Sequence, residues 1–229
     1  MEKSFNEKNR MFQDSPERAI IMEIRRVPAA GRRYGRECSL KMKQIIMLGD
    51  SIRMQVQHAV GEKLAGLAEV SGPEENGRWS GYTLNSLRFW LPQLPSPDLV
   101  QWNCGLWDMG DDYQEGRHFY PPDLYEETCI RICRILRKVT GKPGLPIVIA
   151  TTTPTLHGDH EDIRQYNDIL KKVAAAENAA VNDLYSVVSP NKPEMIGEDH
   201  IHLTPAGIEA VAEQTANIFR SLLKKETEI

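Results

Sequence analysis

Two distant segments of this 229-residue chain carry side chains that could together perform acyl transfer. The first is Gly49-Asp50-Ser51-Ile52-Arg53, which follows a short apolar run. A Ser in the first turn of a helix has an exposed hydroxyl and a free backbone N–H. It can therefore attack a carbonyl and help hold the oxyanion that forms. Arg53 stands where a G-x-S-x-G elbow would place its second Gly, so the segment is a different motif. The second segment is Asp199-His200-Ile201-His202-Leu203-Thr204-Pro205-Ala206-Gly207. An Asp three residues ahead of a His can fold back through one tight turn, fixing the imidazole tautomer and stabilising the imidazolium. Taken singly, each segment also reads as ordinary helix capping, because Asp, Ser and Thr are common N-cap residues.

The elements that must bring these segments together can be read from hydrophobic periodicity. Gln44–Leu48 is a buried-strand run, and Ser51–Leu67 follows at helical period with Ile52, Val56, Val60 and Leu64 on one face. Ala68–Ser71 is a second strand, Gly81–Leu94 a second helix and Asp98–Cys104 a third strand. A helix over Pro122–Val139, a strand over Pro146–Thr151, a helix over Asp162–Asn178 and a strand over Ala180–Leu184 continue the alternation. The last helix starts at the Thr204 cap before Pro205 and runs to Lys224. Five strands alternating with helices predict an α/β fold, a three-layer sandwich around a mostly parallel five-stranded sheet. In such sheets ligands bind at the carboxyl ends of the strands, where both Ser51 and His202 fall.

In order and spacing these segments resemble the SGNH (GDSL-type) hydrolase family. Gly49-Asp50-Ser51 matches its first block, and Asp199-x-x-His202 with Gly207 its last. Asn76-Gly77-Arg78-Trp79-Ser80-Gly81 is similar to the second block, whose Gly donates an oxyanion N–H; Gly81 is the aligned residue and Gly77 the alternative. Gly105-Leu106-Trp107-Asp108 occupies the place of the third block, Gly-x-Asn-Asp. The resemblance spans residues 44 to about 215 and implies the flavodoxin-like SGNH fold. It also implies a Ser51–His202–Asp199 triad working through an acyl-enzyme, with N–H groups of Ser51 and Gly81 on the oxyanion. No metal or organic cofactor is implied. The third block departs from the family where Trp107 replaces the Asn that supplies the third oxyanion donor. Losing one such donor typically costs on the order of 10²–10³ in rate. Asn103, Asn76, Arg78 and the Trp107 indole N–H are the alternative donors. Asn103 shares strand parity with Trp107 but lies roughly 13 Å upstream in an extended chain.

Composition narrows the remaining readings. Hydrophobic residues at 41% and charged residues at 26% describe a soluble globular chain. A net charge of −4 opposes a nucleic-acid role, and no run approaches the roughly 18 apolar residues of a membrane span. Residues 1–43 carry eleven Lys/Arg against six acids, leaving nine excess acids on residues 44–229. This arm reads as a poorly ordered basic extension, or as a leader to an internal start at Met42; residues 44–229 form the hydrolase domain. With no secretory signal and four Cys that form no disulfide framework, a reduced, cytoplasmic protein is expected.

The expected activity is hydrolysis of small, acetyl-like esters of a carbohydrate or other polar substrate. Arg78 is a candidate clamp for substrate hydroxyls or carboxylate, and Trp107 and His157 are candidate cleft residues. The polar, aromatic loop Met109–Pro122 reads as a cleft wall. The cluster His157, His160, His200, His202 lacks the spacing of a zinc motif, and no metal is expected. Competing readings are a lysophospholipase or thioesterase, and a low-activity binding protein on the same fold. Oligomeric state is not legible in the sequence.

Overall fold

The computed structural model describes residues 42–110, 114–157 and 160–225. By its internal contacts the chain divides between Ser39 and Leu40, and the described residues belong to the second unit. The basic arm as far as Lys41, with Cys38 in it, the acidic pair Asp111-Asp112 with Tyr113, and Gly158-Asp159 lie outside the described residues.

The elements alternate as the periodicity predicts: β1 (Lys43–Leu48), α1 (Ser51–Lys63), β2 (Ala68–Ser71), α2 (Ser80–Trp90), β3 (Leu99–Trp102), α3 (Pro122–Thr140), β4 (Ile147–Ala150), α4 (Glu161–Ala176) and β5 (Ala180–Asn182). Two short helices follow, α5 (Leu184–Val188) and α6 (Lys192–Met195), before the long α7 (Pro205–Lys225). All four strand pairings are parallel, in the order β2-β1-β3-β4-β5. This is the flavodoxin-like order, whose switch point lies beside β1 and β3.

Strand parity builds the two faces. Ile46 and Leu48 of β1 join Val100, Trp102, Ile147 and Ile149 against α2, α3 and α4. Ile45 and Met47 point the other way, with Leu99, Val148 and Ala150, against α1, α5 and α7. Side chains two apart share a face, so one six-residue strand supplies both cores. Cys104, Cys129 and Cys133 are free and buried in the first of them.

Two of the differences from the sequence reading have clear local reasons. The first helix ends at Lys63, short of Leu67, because Gly66 takes a left-handed conformation (φ 79°) and turns the chain into β2. The segment between β5 and α7 holds α5 and α6, too short for periodicity to reveal. Asp183 starts α5 by accepting the Ser186 N–H, and α6 carries a proline in its first turn.

Candidate active site

The nucleophile turn is built from a cap and a close approach. The Asp50 carboxylate accepts the Ile52 N–H at 3.0 Å, starting α1 with Ser51 as its first residue. Gly49 has φ 149°, and a Cβ there would fall 2.0 Å from Asn103 Oδ1, so only glycine fits between β1 and this turn. Asn103 Nδ2 donates to Asp50 Oδ1 at 2.9 Å. Asp50 is buried, and burial pushes its carboxyl above the usual range, opposed by the Asn103 and Ile52 hydrogen bonds.

Opposite lies a hairpin that closes mainly on itself. Gly197 N–H donates to His202 O at 2.7 Å, and Thr204 N–H to Met195 O at 3.0 Å. Asp199 Oδ1 accepts the N–H groups of Ile201 and His202 at 3.0 and 2.9 Å. Its Oδ2 lies 2.6 Å from His202 Nδ1. His202 Nε2 in turn lies 2.8 Å from Ser51 Oγ. Those two backbone N–H groups, then the His202 ring, hold the Asp199 carboxyl down at about 2, so it stays ionised. Nδ1–H directed at a carboxylate leaves Nε2 as the acceptor facing the serine hydroxyl.

The third part is the N-terminus of α2. Gly77, the alternative oxyanion glycine, has its N–H occupied by Gly49 O at 2.7 Å. Gly81 is the second residue of α2, where an N–H has no acceptor within the helix. Asp108 anchors this end: its carboxylate accepts the Ser80 N–H at 2.9 and 3.1 Å and the Ser80 hydroxyl at 2.5 Å. Burial pushes the Asp108 carboxyl up to about 7 despite the Ser80 bonds. Arg53 ties the preceding loop to the nucleophile helix, donating to Pro73 O at 2.9 Å and Glu75 O at 2.6 Å. Burial lowers its guanidinium to about 10, against the pull of Asp50. The sequence reading assigned neither Asp108 nor Arg53 a role; the signal for both was adjacency to a motif residue.

The structure brings Ser51, His202 and Asp199 together and distributes the other candidates unevenly. Asn103 lies beneath the nucleophile turn, with one amide N–H on Asp50, because the strand ends at Trp102 and the next residue turns under Gly49. Asn76 Oδ1 accepts the Arg78 N–H at 2.8 Å, which makes it a turn residue. Arg78 is exposed, with its guanidinium 4.8 Å from the centre of the Tyr82 ring. Trp107 is 45% exposed on the turn after β3. His157 is exposed and stacks on His200 at 4.1 Å, two residues from His202. Beside Gly81, Trp79 packs against Tyr82 and edge-on against Phe119, itself 52% exposed. Among the described residues no group of three or more His, Cys, Asp or Glu side chains forms a metal site, and no helix is long and apolar enough to cross a membrane.

Comparison with known proteins gives this geometry a context. The model of the GDSL-like lipase/acylhydrolase family matches residues 47–210. No curated protein sequence matches the chain. Among solved structures, the acetyl xylan esterase AlAXEase superposes with a TM-score of 0.63 at 20% identity, over 76% of this chain and 98% of that one. The lipase/acylhydrolase from Enterococcus faecalis gives 0.62 at 20% identity, over 79% and 96%. Axe2, an acetylxylan esterase from Geobacillus stearothermophilus, gives 0.61 at 19%, over 76% and 93%. At these identities the likeness is one of fold.

Proposed function

The chain belongs to the GDSL-like lipase/acylhydrolase family and is a carboxylic ester hydrolase, and we propose that it works through Ser51, His202 and Asp199 on small acyl esters of a carbohydrate or similar polar alcohol. The observation that carries this reading is the relay Asp199 Oδ2–His202 Nδ1 at 2.6 Å and His202 Nε2–Ser51 Oγ at 2.8 Å.

In this mechanism Ser51 Oγ attacks the ester carbonyl as its proton passes to His202 Nε2. Asp199 stabilises the imidazolium without taking the proton. The carbonyl π electrons move onto oxygen, and the N–H groups of Ser51 and Gly81 receive the oxyanion. Collapse of the tetrahedral intermediate breaks the C–O bond to the alcohol, which leaves with the proton from His202. Water then attacks the acyl-enzyme with His202 again as base, releasing the acid and restoring Ser51.

Support for a polar alcohol comes from the rim. Trp79, Phe119 and Trp107 offer aromatic faces beside Gly81 and the turn after β3, and Arg78 adds donors. Such surfaces suit ring-stacking with a sugar. Two of the structural neighbours are acetyl xylan esterases by name.

A second reading, hydrolysis of longer acyl chains, is favoured by one feature. A groove of about 420 Å³ runs between α2 and α3 from Gly81 and Tyr120 past Leu84, Leu124, Ile135 and Val139. Nitrophenyl esters of increasing chain length, assayed with wild type and Ser51→Ala, decide between the readings. The polar-ester reading expects the highest kcat/KM on acetate and loss of turnover in Ser51→Ala. A maximum at eight carbons or more selects the groove. Equal turnover in wild type and Ser51→Ala overturns the serine mechanism.

A further inference from the structure

The hairpin that carries Asp199 and His202 is bonded largely within itself, so the triad distance depends on what ties this unit to α1. Its internal ties are the Gly197–His202 and Thr204–Met195 backbone bonds, the Ile196–Leu203 bridge and the Asp199 cap. Leu156 N–H, donating to His200 O at 2.9 Å, fastens it to the chain after β4. Toward α1, Gln55 Nε2 donates to Leu203 O at 3.3 Å, and Leu203 N–H donates to Gln55 Oε1 at 3.1 Å. Apart from the Ser51–His202 contact itself, these are the only hydrogen bonds between α1 and residues 196–204 among the described residues.

We propose that Gln55 is a positioning residue that sets the separation of His202 from Ser51. Gln55 lies one helical turn beyond Ser51, so both side chains project from the same side of α1. Leu203 directly follows His202, and its side chain is buried against the α1 core face. A primary amide carries its donor and its acceptor on separate atoms of one planar group, which suits the C=O and N–H of a single peptide residue as this clamp requires. It therefore sets the height of the hairpin along α1 as well as its distance. Apolar packing of Leu203 alone is non-directional and leaves that height free to slide by fractions of an ångström. A displacement of about 1 Å at a reacting pair can cost about 10² in rate. Gln55 touches no substrate atom in this arrangement; it acts through Leu203 and His202.

The inference rests on the triad reading, and the test separates the two. Gln55→Met keeps length and removes both bonds. Gln55→Glu keeps the acceptor for the Leu203 N–H and sets a carboxylate oxygen against Leu203 O. Both are compared with wild type and Ser51→Ala on nitrophenyl acetate, with circular dichroism to establish that each is folded at the assay temperature. The expected result is a kcat lowered about 10- to 100-fold in Gln55→Met with KM within about twofold. Fluorophosphonate labelling of Ser51 slows in parallel, since the serine has lost its base. Gln55→Glu shows the same split, and decides the matter if the Met variant does not fold. Folded variants with wild-type kcat, or with raised KM and unchanged kcat, overturn the role of Gln55 while an inactive Ser51→Ala leaves the triad standing. An active Ser51→Ala overturns both.

Discussion

The hydroxyl and the backbone N–H of Ser80 both end on the carboxylate of Asp108, at 2.5 and 2.9 Å, in a fully buried site. This pair holds the first turn of α2 against the loop that leaves β3, and the next residue along is Gly81. The Asp108 side chain is thus an N-terminal anchor for a helix whose first-turn N–H groups have no acceptor within the helix.

Asp108 gives the protein a defined pH dependence. Its carboxyl is raised from 3.8 to about 7, chiefly by burial, so the folded state favours the protonated form. Its contribution to stability is fully present below about pH 4 and is lost as pH rises through about 7. Asp108→Asn removes this titration. The difference in Tm between wild type and Asp108→Asn is expected to shift against wild type between pH 5 and 8. Parallel Tm curves across that range would contradict the assignment.

Gly81 leaves no room for a side chain. A Cβ there would lie 2.1 Å from the Tyr120 hydroxyl and 2.6 Å from Cζ. Tyr120 is held by its own backbone, its N–H on Asp108 O and its O receiving the Tyr166 hydroxyl. Gly81→Ala is expected to lower kcat by about tenfold or more through displacement of the α2 N-terminus. Tyr120→Ala in the same chain is expected to restore much of it. Wild-type kinetics in Gly81→Ala would show that this contact yields freely.

Asn103 separates two roles by their readouts. A purely structural role, through its bond to buried Asp50, predicts that Asn103→Ala costs about 2 kcal/mol in urea unfolding at little change in kcat. An oxyanion donor would instead cost about 10²–10³ in kcat at unchanged stability. Loss of turnover without loss of stability would assign it as a donor.

Trp107 stands where the family pattern has an oxyanion Asn, and its side chain is 45% exposed. Trp107→Asn is expected to raise kcat on nitrophenyl acetate by about tenfold or more if that position faces the oxyanion. Unchanged or lower turnover assigns the indole to the substrate rim or to the missing hydrogen bond.

Much of this protein was legible from local pattern. Ile45/Met47 and Ile46/Leu48 declare a strand buried on both faces, and Asp50 and Thr204 mark helix starts, because parity and capping depend only on near neighbours. Asp199 and His202, three residues apart, meet within one turn, so their pairing was also readable. Tertiary structure alone decided which polar groups are already spent. Gly77 and Gly81 look alike in the chain, but Gly49 O takes the N–H of the first. Asn103 has the right chemistry for an oxyanion donor, yet one of its amide hydrogens goes to Asp50, 53 residues away. Gln55 carried no signal at all, since its partner Leu203 is 148 residues distant and bonds through its backbone. A hydrogen bond is satisfied by whichever partner the fold delivers, and spacing along the chain does not carry that information.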